Sequence, residues 1–399
     1  MKFRRFTKTH FLKQIGSSLL DRFFAKFAEE LSERQVTLPA ATLADEEYFT
    51  ALAKLVLAPD SLPEGLIEAL FAIEDLATAQ GQEQLEAAMA EAGLKLEFPE
   101  TATHGDIAVQ VFLAHPALLV AKHNEARLGR LSAFEYLGTK RTATIVTAAM
   151  LTKDRMDQLA AELDAWFKEH QRGHETTRIE QYELDGEFWF LVRHGDTFAR
   201  HAKLEARRWE ILHFRPAKDD VVVYAPKREE LCIHAGTKGE KELYRRAFGR
   251  LLAGQEDYFS ERKAYTLEPL REDCADALSG RGLTSVRQIV LREVELAWGQ
   301  KQGEFMVRGG MDIHGSAQSR GCAAIPVYGT IVRAGFDFYF AGHQKPRRVE
   351  VRPPNTLKLT RGCDARAVHE WLSARGFRCA GRTGDPENLS GAPREAVAA

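Results

Sequence analysis

Between Thr9 and Arg34 the large apolar residues recur at every fourth position: Phe11, Ile15, Leu19, Phe23, Phe27 and Leu31. Leu12, Leu20 and Phe24 widen the stripe. An α-helix turns once in about 3.6 residues, so this spacing gathers these side chains on one face. Beyond residue 178 the period changes. IEQYEL and EFWFLVRHG flank Asp185-Gly186, a dipeptide suited to a two-residue turn between antiparallel strands. RWEILHF, VVVYAP and LCIHAG then read as consecutive strands, and TIVRAGFDFYF alternates cleanly before the second arm RRVEVRPP. Helical patterning first and strand patterning afterwards implies an α+β chain rather than an alternating βαβ one.

Residues 1–130 therefore read as an all-helical domain of five to seven helices. Residues 131–382 read as a mixed, largely antiparallel β-rich domain with a few helices, and a further division is offered near residue 280. Thr142–Ala148 looks strand-like, Asp154–Lys168 is amphipathic, and the segment after Thr237 carries Leu243, Ala247 and Leu251 at helical spacing. Asp364–Arg375 reads as a last helix ending at Gly376. Residues 383–399 hold few large apolar side chains and read as a disordered tail.

At 399 residues the chain exceeds what one hydrophobic core usually supports, in line with more than one domain. A 44% apolar and 28% charged composition is that of an ordinary soluble protein. No stretch approaches the ~20 apolar residues that cross a bilayer, so no membrane partner is expected. Lys13 and Gln14 interrupt the basic opening segment, which reads as a first helix rather than a signal peptide. Five scattered cysteines, an odd number, suggest reduced thiols and a cytoplasmic setting.

The run Leu191-Val192-Arg193-His194-Gly195-Asp196-Thr197 resembles the nucleophile signature of the histidine phosphatase and phosphoglycerate mutase family. The resemblance implies an α/β fold in which His194 takes a phosphoryl group and Arg193 clamps its oxygens. His314 in Asp312-Ile313-His314-Gly315 would supply the second histidine. The run covers seven residues and departs from the family in placement. It falls mid-chain, after an Asp-Gly hairpin, and antiparallel strand patterns follow it. Asp196 stands where the family has glutamate or glutamine. A strand ending in a polar turn accounts for the same residues.

Other chemistry is sparse. There is no Gly-x4-Gly-Lys-Ser/Thr loop, and Gly280-Arg281-Gly282 lacks a third glycine. Neither His170 with His174 nor Cys232 with His234 has a third group to complete a metal or nucleophilic site. No catalytic residue, metal or cofactor is assigned, and the expectation leans away from an enzyme.

Charge is uneven. The net is −2 overall, but −5 over residues 1–150, −3 over 151–299 and +6 over 300–399. Two basic segments stand out. On the helix after Thr237, Lys241, Arg245, Arg246 and Arg250 flank the apolar stripe. In the C-terminal hairpin, Lys345, Arg347, Arg348, Arg352 and Lys358, with Arg361 beyond, face Glu350 alone in the local sequence. Guanidinium groups match phosphate geometry and stay charged, so such a ribbon can line phosphates. The same residues also serve to protect a sheet edge. The expectation is a non-catalytic binding protein that engages nucleic acid or another anionic partner through its second half. The alternatives are an interaction or scaffold subunit with a protein partner, and a histidine-phosphatase-like phosphomonoesterase.

Overall fold

The computed structural model describes residues 5–40, 43–58, 61–129, 131–139, 151–184, 186–205, 207–299, 303–342, 345–359 and 365–379. The strand expected at Thr142–Ala148, residue Arg361 and the tail 383–399 lie outside them. The chain divides into two compact units, Met1–Gly129 and Arg130–Ala399.

The first unit is helical: α1 (Thr9–Leu12), α2 (Ser17–Ala25), α3 (Ala28–Glu33), α4 (Asp45–Val56), α5 (Glu64–Leu76), α6 (Ala79–Glu91), α7 (His104–Ala114) and α8 (Pro116–Gly129). The apolar stripe read as one long helix is broken into three pieces. The break before α2 has a tertiary cause. Thr103 and Asp106 form a capping box on α7, and the Gly16 N–H donates to Asp106 Oδ1 at 2.8 Å. The Thr103 hydroxyl donates to the Gln14 carbonyl at 2.6 Å. The cap of α7 thus satisfies backbone groups that a continuous helix would have used itself. The stripe still points inward, because Phe11, Ile15, Phe23 and Leu31 are all buried in the core of this unit. Phe23 packs edge-on against Phe112 of α7, centroids 5.3 Å apart.

The second unit is built on one antiparallel sheet. Its strands are β1 (Phe134–Thr139), β2 (Arg178–Leu184), β3 (Glu187–Gly195), β4 (Ala199–Glu205), β5 (Arg208–Phe214), β6 (Ala217–Ala225), β7 (Glu230–His234), β8 (Phe259–Glu261), β9 (Val286–Trp298), β10 (Glu304–Gly309), β11 (Thr330–Phe340), β12 (Arg347–Arg352) and β13 (Thr356–Lys358). Its helices are α9 (Lys153–Glu169), α10 (Lys238–Ala253), α11 (Pro269–Glu272), α12 (Ile313–Ser319) and α13 (Ala365–Ala374). Among the described residues, eleven strands form the main sheet in the order β10-β9-β11-β12-β13-β1-β7-β6-β3-β2, with β8 added to β1. Strands from both sides of residue 280 belong to this one sheet. Among the described residues, strands β4 and β5 pair only with each other.

The helices settle on opposite faces. Leu159, Leu163 and Phe167 of α9 and Tyr244 and Phe248 of α10 pack on Phe188, Phe190, Val192, Val222 and Ile233. Trp371 of α13 packs on Phe336 and Phe338 of β11, with centroids 5.3 and 5.1 Å away. Register fixes which face is which: Glu135 sits opposite Ile233, so it shares the side of α9 and α10, while Tyr136 points to the other. Toward β10, that α9/α10 side of the sheet is polar. No helix among the described residues is long and apolar enough to cross a membrane.

Candidate functional site

The polar side of the sheet collects Lys241, Arg348, Arg352 and Lys358 from the basic residues singled out in the sequence. Register carries it from Glu135 through Thr356 and Lys358 to Arg352 and Glu350, and on to Gly335 and Glu293. Lys241 reaches it from α10 and pairs with Glu135 at 2.8 Å. The Asn355 side-chain amide donates to the same carboxylate at 3.3 Å. The two basic segments therefore meet at Glu135.

Their charge, however, is matched. Arg348 lies over Gly335, where a Cβ would collide with the guanidinium, and pairs with Glu293 at 3.1 Å and Asp337 at 3.4 Å. Arg352 donates to Glu350 at 2.7 Å. Arg333 pairs with Glu293, with Glu295 at 2.7 Å and with Glu350 at 3.4 Å, and Arg292 meets Asp337 at 3.1 Å. The hydrogen bond to Glu295, more than any other influence, raises the Arg333 pKa. Burial pushes the Glu350 carboxyl up, but Arg352, Lys358 and Arg333 together hold it below the ordinary value. Four arginines face four carboxylates here, whereas the local sequence offered only Glu350. On α10, Arg245 pairs with Glu242, Arg246 with Glu256, and Arg250 with Glu162 and Glu256. Of the remaining candidates, Lys345 and Lys358 are exposed, and Arg347 is half-buried on the opposite face.

His194 sits inside the unit. Its side chain is 0% exposed, with Nε2 at 3.0 Å from Asp220 Oδ2, and its ring stacks on Phe167 at 4.0 Å. The Tyr244 hydroxyl donates to the same carboxylate at 2.9 Å. Burial, with Asp220 beside it, raises the Tyr244 pKa well above 10. His194, Asp220 and Glu240 offer ligand atoms within 4.8 Å of one another. That space is already charge-compensated: Lys218 Nζ lies 2.6 Å from Glu240 and 3.4 Å from Asp220, and Arg172 pairs with Glu240 at 2.9 Å. The other Glu240 oxygen caps α10 by accepting the Thr237 N–H at 2.8 Å. Every member of this network is occupied in holding α9, α10, β3 and β6 together.

The family resemblance at Arg193-His194 finds no matching pocket. Arg193 turns to the other side of β3 and donates to Asp219 at 2.8 Å. His314 lies on α12, packed beside β9, near the opposite edge of the sheet from β3. Seven strand intervals of about 4.8 Å separate β9 from β3, roughly 30 Å across the sheet. The two histidines and the arginine do not converge.

The β4–β5 hairpin is the element that sequence reading missed. RWEILHF reads as a strand from the sequence, but its partner β4 was not foreseen. ARHAKLE carries one large apolar residue and gives no strand signal by itself. The register Leu204↔Trp209, Ala202↔Ile211 and Arg200↔His213 puts these six residues on one face. Leu204 is 74% and Trp209 65% exposed. Phe198, also exposed, lies parallel to His213 with centroids 6.3 Å apart.

Arg207, at φ 64°, stands in the turn beside Arg208. Arg200, Arg207 and Arg208 are exposed, and none of the ion pairs found among the described residues engages them. The root is tied down. Arg215 donates to the carbonyls of Gln171 at 2.7 Å and Asp196 at 2.6 Å, and Arg172 pairs with Asp196 at 2.9 Å. The result is a fixed stem carrying an exposed aromatic and cationic ribbon.

The sequence matches no protein-family model and no curated protein.

Proposed function

We propose that this chain is a non-catalytic nucleic-acid-binding protein that engages single-stranded segments through the β4–β5 hairpin. The carrying observation is the coincidence, on one exposed ribbon, of Trp209 and Phe198 with Arg200, Arg207 and Arg208. Exposed aromatic faces offer stacking surfaces to unpaired bases, and neighbouring guanidinium groups offer contacts to the connecting phosphates. This moves the expected contact away from α10 and β12, where carboxylates already hold the arginines. Lys345 and Lys358, exposed on the same unit, are available as further phosphate contacts.

The test is fluorescence anisotropy with a labelled oligothymidylate and a duplex of equal length. Three phosphate contacts on a single strand imply a log–log salt slope near −2, so a fourfold rise in salt weakens binding about 16-fold. Trp209→Ala removes one stacking platform and should weaken binding by roughly five- to 150-fold. Arg200→Glu with Arg208→Glu should flatten the slope. Equal binding of all variants, or no binding of either oligonucleotide at low salt, overturns the reading and leaves the protein-partner alternative for the same apolar ribbon.

A further inference from the structure

Strand β10 ends the sheet. Among the described residues its ladder runs to β9 alone, so its other edge presents a row of unpaired backbone groups. Phe305 is 64% exposed and Val307 is exposed beside it on the same face. Met306 and Arg308 are half-buried on the other. Beyond the strand, Met311, Val327 and Tyr328 are also exposed. Sheet edges are normally blunted by lysine, proline or a covering element. β10 contains neither residue type, and its two charges lie symmetrically about Met306: Glu304 two residues before, Arg308 two residues after.

We propose that β10 pairs with β10 of a second copy of this chain, antiparallel across a two-fold axis at Met306. Centred there, Glu304 of each copy lies opposite Arg308 of the other, and Phe305 of each lies opposite Val307 of the other. The sequence picks out this register. A centre between Met306 and Val307 sets Phe305 against Arg308 and leaves Glu304 opposite Gly309. A centre at Val307 sets Met306 against Arg308. Only the Met306 centre pairs charge with charge and apolar with apolar, and each pairing occurs twice because a two-fold interface is self-complementary.

Arg308 keeps donors for such a pair. Its Nη1 donates to the Ala324 carbonyl at 2.6 Å, which fixes the side chain and leaves its remaining N–H groups for a carboxylate. On the opposite sheet edge, centring β2 on its middle residue Gln181 sets Ile179 against Glu183 and Glu180 against Tyr182. The joined sheets would run continuously through both copies.

Sedimentation equilibrium of the full chain tests this. The wild type is expected to be a concentration-dependent dimer. Arg308→Glu places four glutamates face to face and Glu304→Arg places four arginines, so each alone should weaken dimerisation by about tenfold or more. Mixing the two variants in equal amounts restores both charge pairs in a heterodimer and should return association to near the wild-type level. A wild type that stays monomeric up to about 100 µM, well above the micromolar range of weak interfaces, overturns the proposal. So does a mixture that associates no better than either variant alone, provided each keeps the wild-type circular dichroism.

Discussion

Glu230, on β7, is nearly inaccessible and takes three arginines: Arg228 at 3.1 Å, Arg262 at 2.9 Å, and Arg378 from beyond α13. Burial by itself would push this carboxyl up. Arg378, with Arg228 and Arg262, outweighs burial and holds it below the ordinary 4.5. A carboxyl whose pKa is depressed in the folded state stabilises that state above its unfolded pKa. The contribution disappears as pH falls through the lower, folded value. Urea midpoints measured from pH 7 down to pH 3 should therefore fall below about pH 4.5. Glu230→Gln should lose about 1–3 kcal/mol at pH 7, because it takes the shared carboxylate from three half-buried arginines, and its midpoint should depend less on acid. His194 belongs to the same class of buried, satisfied groups. His194→Ala should lower stability while leaving oligonucleotide binding at the hairpin unchanged, as the two measurements on one preparation would show.

Individual elements differ in how far local sequence specifies them. The helices of the first unit were legible because Phe23, Leu31 and their neighbours repeat with the helical turn, and β11 was legible because TIVRAGFDFYF alternates. Strand β10, EFMVRG, has no alternation of polarity, and β13 spans only three residues. Both exist because a neighbour supplies the ladder. The interruption at Gly16 depends on Asp106, ninety residues away, and the neutralisation of Arg348 on β12 depends on Asp337 of the neighbouring β11 and Glu293 of β9, one strand further on. Non-local register decides such matters, which is why the basic ribbon looked uncompensated and the hairpin went unseen. Little of the hairpin is buried, so replacing Ala199–Phe214 by a short glycine-serine link should shift the thermal midpoint by no more than about 2 °C. The same replacement should abolish oligonucleotide binding. Thr237→Ala, which removes half of the α10 capping box, should by contrast cost about 1 kcal/mol in a denaturant titration.

At the scale of the whole chain, the division into two compact units implies two units of folding. The core of the first unit is assembled wholly from residues between Phe6 and Leu119, and the cluster beneath α9 and α10 wholly from residues between Leu137 and Phe259. A fragment of residues 1–129 should fold alone, with a helical circular dichroism spectrum and a single cooperative melt. A fragment that stays unfolded would show that the helices need the second unit.

The exposed turn at Arg207 and Arg208 has a further consequence for the continuity of the chain. A protease that cleaves after arginine would meet it early, since an exposed, poorly packed loop tip is a preferred site for nicking. The cut would fall between β4 and β5, while β3 and β6 stay zipped from Phe188↔Tyr224 to Gly195↔Ala217. Cleavage should then yield two polypeptides that migrate separately under denaturing conditions yet travel together in native solution. The protein would persist as a non-covalent pair of fragments, its ribbon opened and its sheet whole.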